Sequence, residues 1–252
     1  MTADHSPRQL ARTAGALYLV NIAAGAFAIG LVPAMLIVPD LQTTARNIQT
    51  HELLYRLGLA AHLVVTVTNV PMAVIFYDLF KVVSRRIALL DVCFTLVATA
   101  IEAAGLVGQF TPLVLMGSTR YADALPAAQL HALTHLAGDL SPVGYSIYGV
   151  FYGFDIGCVA YLVLKSAFLP RAIGVLLAVD GLAYLVYGFT HILAPGVAAS
   201  MVPWINLPAP LGEGSLCLWL LVAGVNAARW QEQASAAVRV DYAARWSVLG
   251  AE

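Results

Sequence analysis

In FLPRAIGVLLAVDGLAYLVYGFTHILA, residues 168–194, a proline and an arginine precede the apolar run Ala172–Ala194, whose only acidic or basic side chains are Asp180 and His191. A helix rises about 1.5 Å per residue, so this run spans a hydrocarbon core of ~30 Å. Five further segments read the same way: Ala14–Val38, Leu57–Phe80, Ile87–Met116, Pro142–Leu164 and Leu211–Ala228. Charged residues make up 11% of the 252 positions and hydrophobic residues 60%, whereas a soluble chain carries about 25% charge. The expectation is an all-α, polytopic membrane bundle of six transmembrane helices. Residues 1–230 form one membrane domain, and 231–252 a polar cytoplasmic tail that is helical or disordered. The uncharged run after Arg8 and Arg12 is too long for a signal-peptide core and has no clear cleavage site, so it is expected to remain as a helix.

Cationic side chains divide unevenly between the connections. Lys81, Arg85, Arg86, Lys165, Arg171 and the terminal Arg8, Arg12, Arg229, Arg239 and Arg245 fall on one side, and only Arg46, Arg56 and Arg120 on the other. The excess predicts that both termini lie in the cytoplasm. Trp204 and Trp230 fall near the two interfaces. Segments 41–56 and 124–139 alternate apolar and polar positions at helical spacing and are expected to lie on the outer membrane surface. Asp78 and Asp91 read as interfacial ion pairs with Lys81, Arg85 and Arg86. A net charge of −1 without a basic block excludes nucleic acid as a partner; the partners expected are the lipid bilayer and a lipophilic small molecule. Cys93, Cys158 and Cys217 lack C-x-x-C spacing and read as small packing residues.

A charge at the bilayer centre costs at least ~2.5–3.5 kcal/mol on insertion scales, so Glu102, Asp155 and Asp180 each call for an explanation. Ser141, Tyr145, Tyr148, Tyr152 and Asp155 follow one another by three or four residues, as do Asp180, Tyr184, Tyr187 and His191, so each series occupies one helix face. Gly149, Gly153 and Gly157 mark a different face, suited to close packing. If the two acid-and-tyrosine stripes share an interior, they enclose a cavity with Asn21, His62 and Asn69 at its edge. The acids then serve as proton donors to an alkene, epoxide or carbonyl, and the tyrosine faces steady a developing cation. In the competing reading the same groups only hydrogen-bond helices together. Glu213, in Pro208-Ala209-Pro210-Leu211-Gly212-Glu213, is either a first-turn partner of the helix dipole or a group at the outer mouth. His131, His135 and Asp139, spaced i, i+4, i+8, form a weak candidate metal set.

Further motifs carry a resemblance. Phe168-Leu169-Pro170-Arg171-Ala172-Ile173-Gly174-Val175-Leu176-Leu177, Ala183-Tyr184-Leu185, Gly212-Glu213 followed by Leu218-Trp219-Leu220-Leu221, and Arg12-Thr13-Ala14-Gly15-x-Leu17-Tyr18-Leu19 resemble a bacterial membrane family catalogued as domain of unknown function 4386. Arg56-Leu57-Gly58 and Phe151-Tyr152-Gly153 are similar to it as well, and the likeness covers roughly residues 10–228. It implies a six-helix fold in a bacterial inner membrane, with no established activity. It also implies departures: relatives carry an apolar or aromatic residue at Asp155, a small one at Asp180, an aspartate at Tyr187 and an acid at His62, whereas Glu213 fits the family pattern. The pocket of this member is thus expected to be remodelled.

The leading functional expectation is an intramembrane acid–base enzyme, an isoprenoid or terpene-type cyclase or isomerase that needs no cofactor. Asp155 and Asp180 are its acid/base pair, Glu102 and Glu213 are further catalytic carboxyls, and Tyr148, Tyr152, Tyr184 and Tyr187 form its walls. Small integral-membrane terpene cyclases offer an analogy of fold only. Two alternatives stand beside it. A proton-coupled transporter, with only six helices, calls for a homo-oligomer and a water path to both surfaces. A non-catalytic accessory or sensor protein leaves the polar residues purely structural.

Overall fold

A computed structural model of the protein describes residues 6–117 and 123–249. All regular structure among them is helical. Helix α1 is Pro7–Leu36 and contains a π-helical segment, Ala26–Leu31. Then come α2 (Leu41–Thr50), α3 (Glu52–Phe80), α4 (Arg85–Gln109), α5 (Thr111–Met116), α6 (Ala127–Lys165), α7 (Arg171–Leu193), α8 (Pro195–Met201), α9 (Pro208–Val222) and α10 (Ala227–Leu249).

Local chemistry sets the starts. Ser6 and Gln9 form a capping box on α1, Asp40 accepts from the Thr43 amide on α2, and Ser84 accepts from the Ile87 amide on α4. Prolines 170 and 208 stand at the starts of α7 and α9, where a missing amide proton costs nothing.

Six helices are long and apolar enough to cross a membrane: Pro7–Leu36, Glu52–Phe80, Arg85–Leu115, Leu140–Lys165, Arg171–Leu193 and Trp204–Val222. Packed side by side in chain order, α1 meets α3, α3 meets α4, α4 meets α6, α6 meets α7, α7 meets α9, and α9 returns to α1. The result is a closed six-helix ring whose outward faces, such as Leu63, Val67, Val70 and Val74 on α3, are exposed and aliphatic, as lipid contact requires. The joint between α6 and α7 is close. There Gly153 faces the Gly181 carbonyl and Gly181 faces the Gly153 carbonyl, and a Cβ at either would come within 2.9 Å of that oxygen. The expected small-residue face on α6 therefore packs.

The two ends of the ring differ. At the end carrying both termini the interior is solid. Phe76, Leu79, Phe80, Leu162, Val163, Phe168 and Leu220 are all buried, and the Phe80 and Phe168 rings stack at 6.0 Å. Across this end lies α10. The Trp230 indole donates to the Leu79 carbonyl at 2.8 Å, and the Gln233 side chain accepts from the Ala167 amide and donates to the Lys165 carbonyl. The distal end, where α2, α5 and the amino-terminal third of α6 lie, is hollow.

Three features differ from the sequence expectation. The sixth span is Trp204–Val222 and not Leu211–Ala228, because Gly224 adopts a left-handed φ of 68° and its amide closes onto the Trp219 carbonyl, ending the helix. The segment expected to lie separately before the fourth span is continuous with it in α6, since Pro142 removes only one backbone donor from a long helix. Asp78 does pair with Lys81. Asp91, expected in a similar ion pair, is instead 1% exposed and faces the bundle interior, as a six-residue advance from Arg85 carries it well below the surface.

Candidate functional site

The hollow distal half is a chamber of about 770 Å³. Its wall is built from the π-helical and distal part of α1 (Ala28, Ile29, Val32, Leu36), from Thr44 and Ile48 of α2, and from the facing stretches of α3, α4 and α6. Most of the lining is aliphatic or aromatic, with Tyr55, Tyr145, Tyr148 and Tyr187 contributing rings. The π-helical segment matters here because its extra residue per turn shifts the register of α1 beside the chamber, an arrangement frequent at functional sites.

Three polar groups of the chamber wall and two behind it form one row across α4, α3 and α1. Gln109 Oε1 lies 3.3 Å from His62 Nδ1, His62 Nε2 lies 3.2 Å from Glu102 Oε1, and Glu102 Oε2 accepts from Asn69 Nδ2 at 3.4 Å. Asn69 Oδ1 in turn accepts from Asn21 Nδ2 at 2.8 Å. The His62 imidazole therefore bridges the Gln109 amide and the Glu102 carboxyl, one ring nitrogen towards each, and an imidazole and a carboxyl in contact can pass a proton between them. Tyr55 braces Gln109 by donating to its backbone carbonyl at 2.7 Å.

Beneath the chamber lies a second polar layer. Glu213 accepts from Tyr18 at 2.8 Å, from Tyr152 at 2.7 Å and from Tyr184 at 3.4 Å. Tyr152 stacks on Tyr148 with centroids 5.1 Å apart and meets Tyr184 edge-on at 5.0 Å, so the two tyrosine stripes do share an interior. Glu213 is midway along its span, neither in the first turn of α9 nor at the mouth, because α9 begins at Pro208 with a further turn ahead of it. Asp155 accepts from Thr95 at 2.7 Å and lies against Asp91. A cavity of about 20 Å³ beside Asp155, Thr95, Tyr152, Tyr18 and Asn69 has room for one water molecule. Asp180, 1% exposed, has no hydrogen-bond partner at either carboxyl oxygen among the described residues; Gly212 and Glu213 are its neighbours.

The residues singled out in the sequence therefore separate. His62, Glu102, Tyr145, Tyr148 and Tyr187 line the chamber, and Asn69 and Asn21 support it from behind. Tyr152, Tyr184 and Glu213 form the layer beneath. His191 stacks on Tyr187 and meets the Ser146 hydroxyl at 2.7 Å. Asp155 turns to α4 and Asp180 to α9, so neither lines the chamber and the expected pairing of the two does not form. His131, His135 and Asp139 lie on α6, but their side chains are outside the described part of the structure. Among the described residues no three His, Cys, Asp or Glu side chains converge as metal ligands.

Sequence reasoning passed over Gln109 and Thr95, read Asp91 as interfacial, and named Tyr18 only within a family motif. The signal was present: Asp91, Thr95, Glu102 and Gln109 are spaced by four, seven and seven, one stripe of a helix, and Tyr18 is three residues from Asn21.

The family model described as Domain of unknown function (DUF4386) matches residues 13–224. The chain belongs to this family. The matched stretch runs from the second turn of the first span past the end of the sixth, so the DUF4386 region takes in all six helices of the ring and α10 follows it. No curated protein and no solved structure matches this DUF4386 chain.

Proposed function

We propose that this DUF4386 protein is a membrane-embedded acid–base catalyst for a lipophilic small molecule, an isoprenoid-type isomerase or cyclase, with Glu102 and His62 as its working pair. The observation that carries the reading is the position of that imidazole–carboxyl pair, 3.2 Å apart, in the wall of a largely apolar chamber of about 770 Å³. A chamber of this kind holds a lipophile away from water while one group gives a proton to an alkene carbon or epoxide oxygen. The partner then takes a proton from a neighbouring carbon. Atoms balance without any electron carrier: one proton enters and one leaves. The faces of Tyr145, Tyr148 and Tyr187 supply the electron-rich surface that a developing carbocation needs. In this reading Asp155 and Asp180 are supporting groups and not the acid and base.

Both termini are assigned, on the same footing, to the cytoplasm of a bacterial inner membrane. The excess of Arg and Lys at the solid end supports this, and the chamber then belongs to the outer half of the bilayer. A transport role is less favoured, because any path inward from the chamber has to cross the packed phenylalanine and leucine core of the terminal half.

The test is mass spectrometry of lipid extracts from protein purified in nanodiscs, comparing wild type with Glu102→Gln. The expected result is a specific lipophile enriched with wild type, and with Glu102→Gln an isomer of the same mass but different retention. A wild-type extract indistinguishable from that of an unrelated membrane protein would overturn the proposal.

A further inference from the structure

We infer that the chamber receives an uncharged lipophile whose polar end is a single oxygen, as in an alcohol, ketone or epoxide, and turns away both phosphorylated or carboxylated lipids and lipophilic amines. The inference rests on the chamber being the ligand site proposed above, and three observations carry it.

The first is a lining without a Lys or Arg among the described residues. Of the arginines at this end, Arg46 is exposed on α2, Arg56 is paired with Glu52 at 2.7 Å, and Arg120 lies outside the described residues. A phosphate or carboxylate drawn inside would lose its water, find no Lys or Arg among the described lining residues, and lie in the same space as the Glu102 carboxyl.

The second is that Glu102 is already engaged. One of its oxygens contacts His62 and the other accepts from Asn69. An ammonium would have to displace one of these contacts to reach the carboxyl, and so would undo the arrangement that Gln109, Asn69 and Asn21 hold in place.

The third is an open donor. Tyr148 lines the chamber and interacts with Glu102 electrostatically, yet its hydroxyl has no hydrogen-bond partner among the described residues. Its ring is fixed by stacking between Tyr145 and Tyr152 at 5.6 and 5.1 Å. A hydroxyl held in place without a partner offers a hydrogen bond to a neutral ligand oxygen, which then lies within reach of the Glu102–His62 pair. The aliphatic wall takes the hydrocarbon.

Three probes with one common chain distinguish the classes: farnesol, farnesylamine and farnesyl diphosphate, each titrated against the full-length protein in neutral-lipid nanodiscs and read by native mass spectrometry. Gly105→Leu provides the blank. Gly105 lines the chamber and a Cβ there meets nothing within 4 Å, so the added side chain fills the cavity without disturbing the helices. Farnesol is expected to bind wild type at least ~10-fold more tightly than either charged analogue and to lose binding in Gly105→Leu. Tyr148→Phe should weaken farnesol about 10-fold with an unchanged unfolding midpoint, the effect of one lost hydrogen bond. Equal or tighter binding of the diphosphate or the amine, sensitive to Gly105→Leu, overturns the neutral-ligand inference but leaves the chamber as a ligand site. Binding of none of the three also overturns it. The chamber reading falls as well only if the wild-type lipid extract holds no enriched molecule. Undiminished farnesol binding by Tyr148→Phe removes Tyr148 from the site and overturns the third argument.

Discussion

The Tyr18 hydroxyl donates a 2.8 Å hydrogen bond to Glu213, joining the first membrane helix to the last across 195 residues of chain. Glu213 also receives Tyr152 of α6 and Tyr184 of α7, so one carboxyl gathers four of the six helices of the ring. Replacing it with an apolar residue leaves three buried hydroxyls to find new acceptors. Glu213→Leu is expected to lower stability by about 3–9 kcal/mol, at about 1–3 kcal/mol for each hydroxyl left unsatisfied. Glu213→Gln, which keeps an acceptor oxygen, should lose less than half as much. Thermal unfolding of the purified variants in one detergent measures both.

The α1–α9 joint depends on Gly15, where a Cβ would come within 2.5 Å of the Leu221 backbone nitrogen. Backbone cannot move aside as a side-chain tip can, so Gly15→Ala is expected to cost about 1–3 kcal/mol. Gly30 lies on the same helix with nothing within 4 Å of its Cβ position, and Gly30→Ala should be neutral or stabilise by up to about 1 kcal/mol. Equal effects of the two substitutions in the same unfolding assay would contradict this account of the joint.

Asp180 and Asp155 are expected to behave differently although both are buried acids. Asp180→Asn removes no hydrogen bond, and stability should stay within about 0.5 kcal/mol of wild type or rise. Asp155→Leu leaves the Thr95 hydroxyl only the Asp91 carbonyl at 2.9 Å and removes the carboxyl that the Asp91 side chain lies against, and should cost about 1 kcal/mol. Chemical unfolding of the two variants side by side checks the contrast.

Orientation has a direct test. A green fluorescent protein fused after Glu252 should fluoresce in bacterial cells, and an alkaline phosphatase fused at the same place should stay inactive, since the first matures in the cytoplasm and the second outside it. The reverse pattern would put the chamber in the inner half of the membrane.

Hydropathy and 3.6-residue periodicity settle much of this protein without its structure. They give the six spans, the separation of glycine and tyrosine faces on α6, and the set of polar residues that point inward, because side-chain direction along one helix follows from spacing alone. Tyr148, Tyr152, Tyr184 and Tyr187 were legible for that reason. Spacing does not specify which neighbour each face meets. Within a bilayer the apolar surfaces of helices are as well solvated by lipid as by one another, so neighbours are chosen by close packing and a few polar contacts between distant parts of the chain. Only the tertiary structure therefore decided that Asp155 turns to Thr95 and Asp91, that Asp180 turns to Gly212, and that Glu213 lies at the centre of the ring. It also decided that His62 of α3 and Glu102 of α4 meet beside a chamber whose existence no single helix encodes.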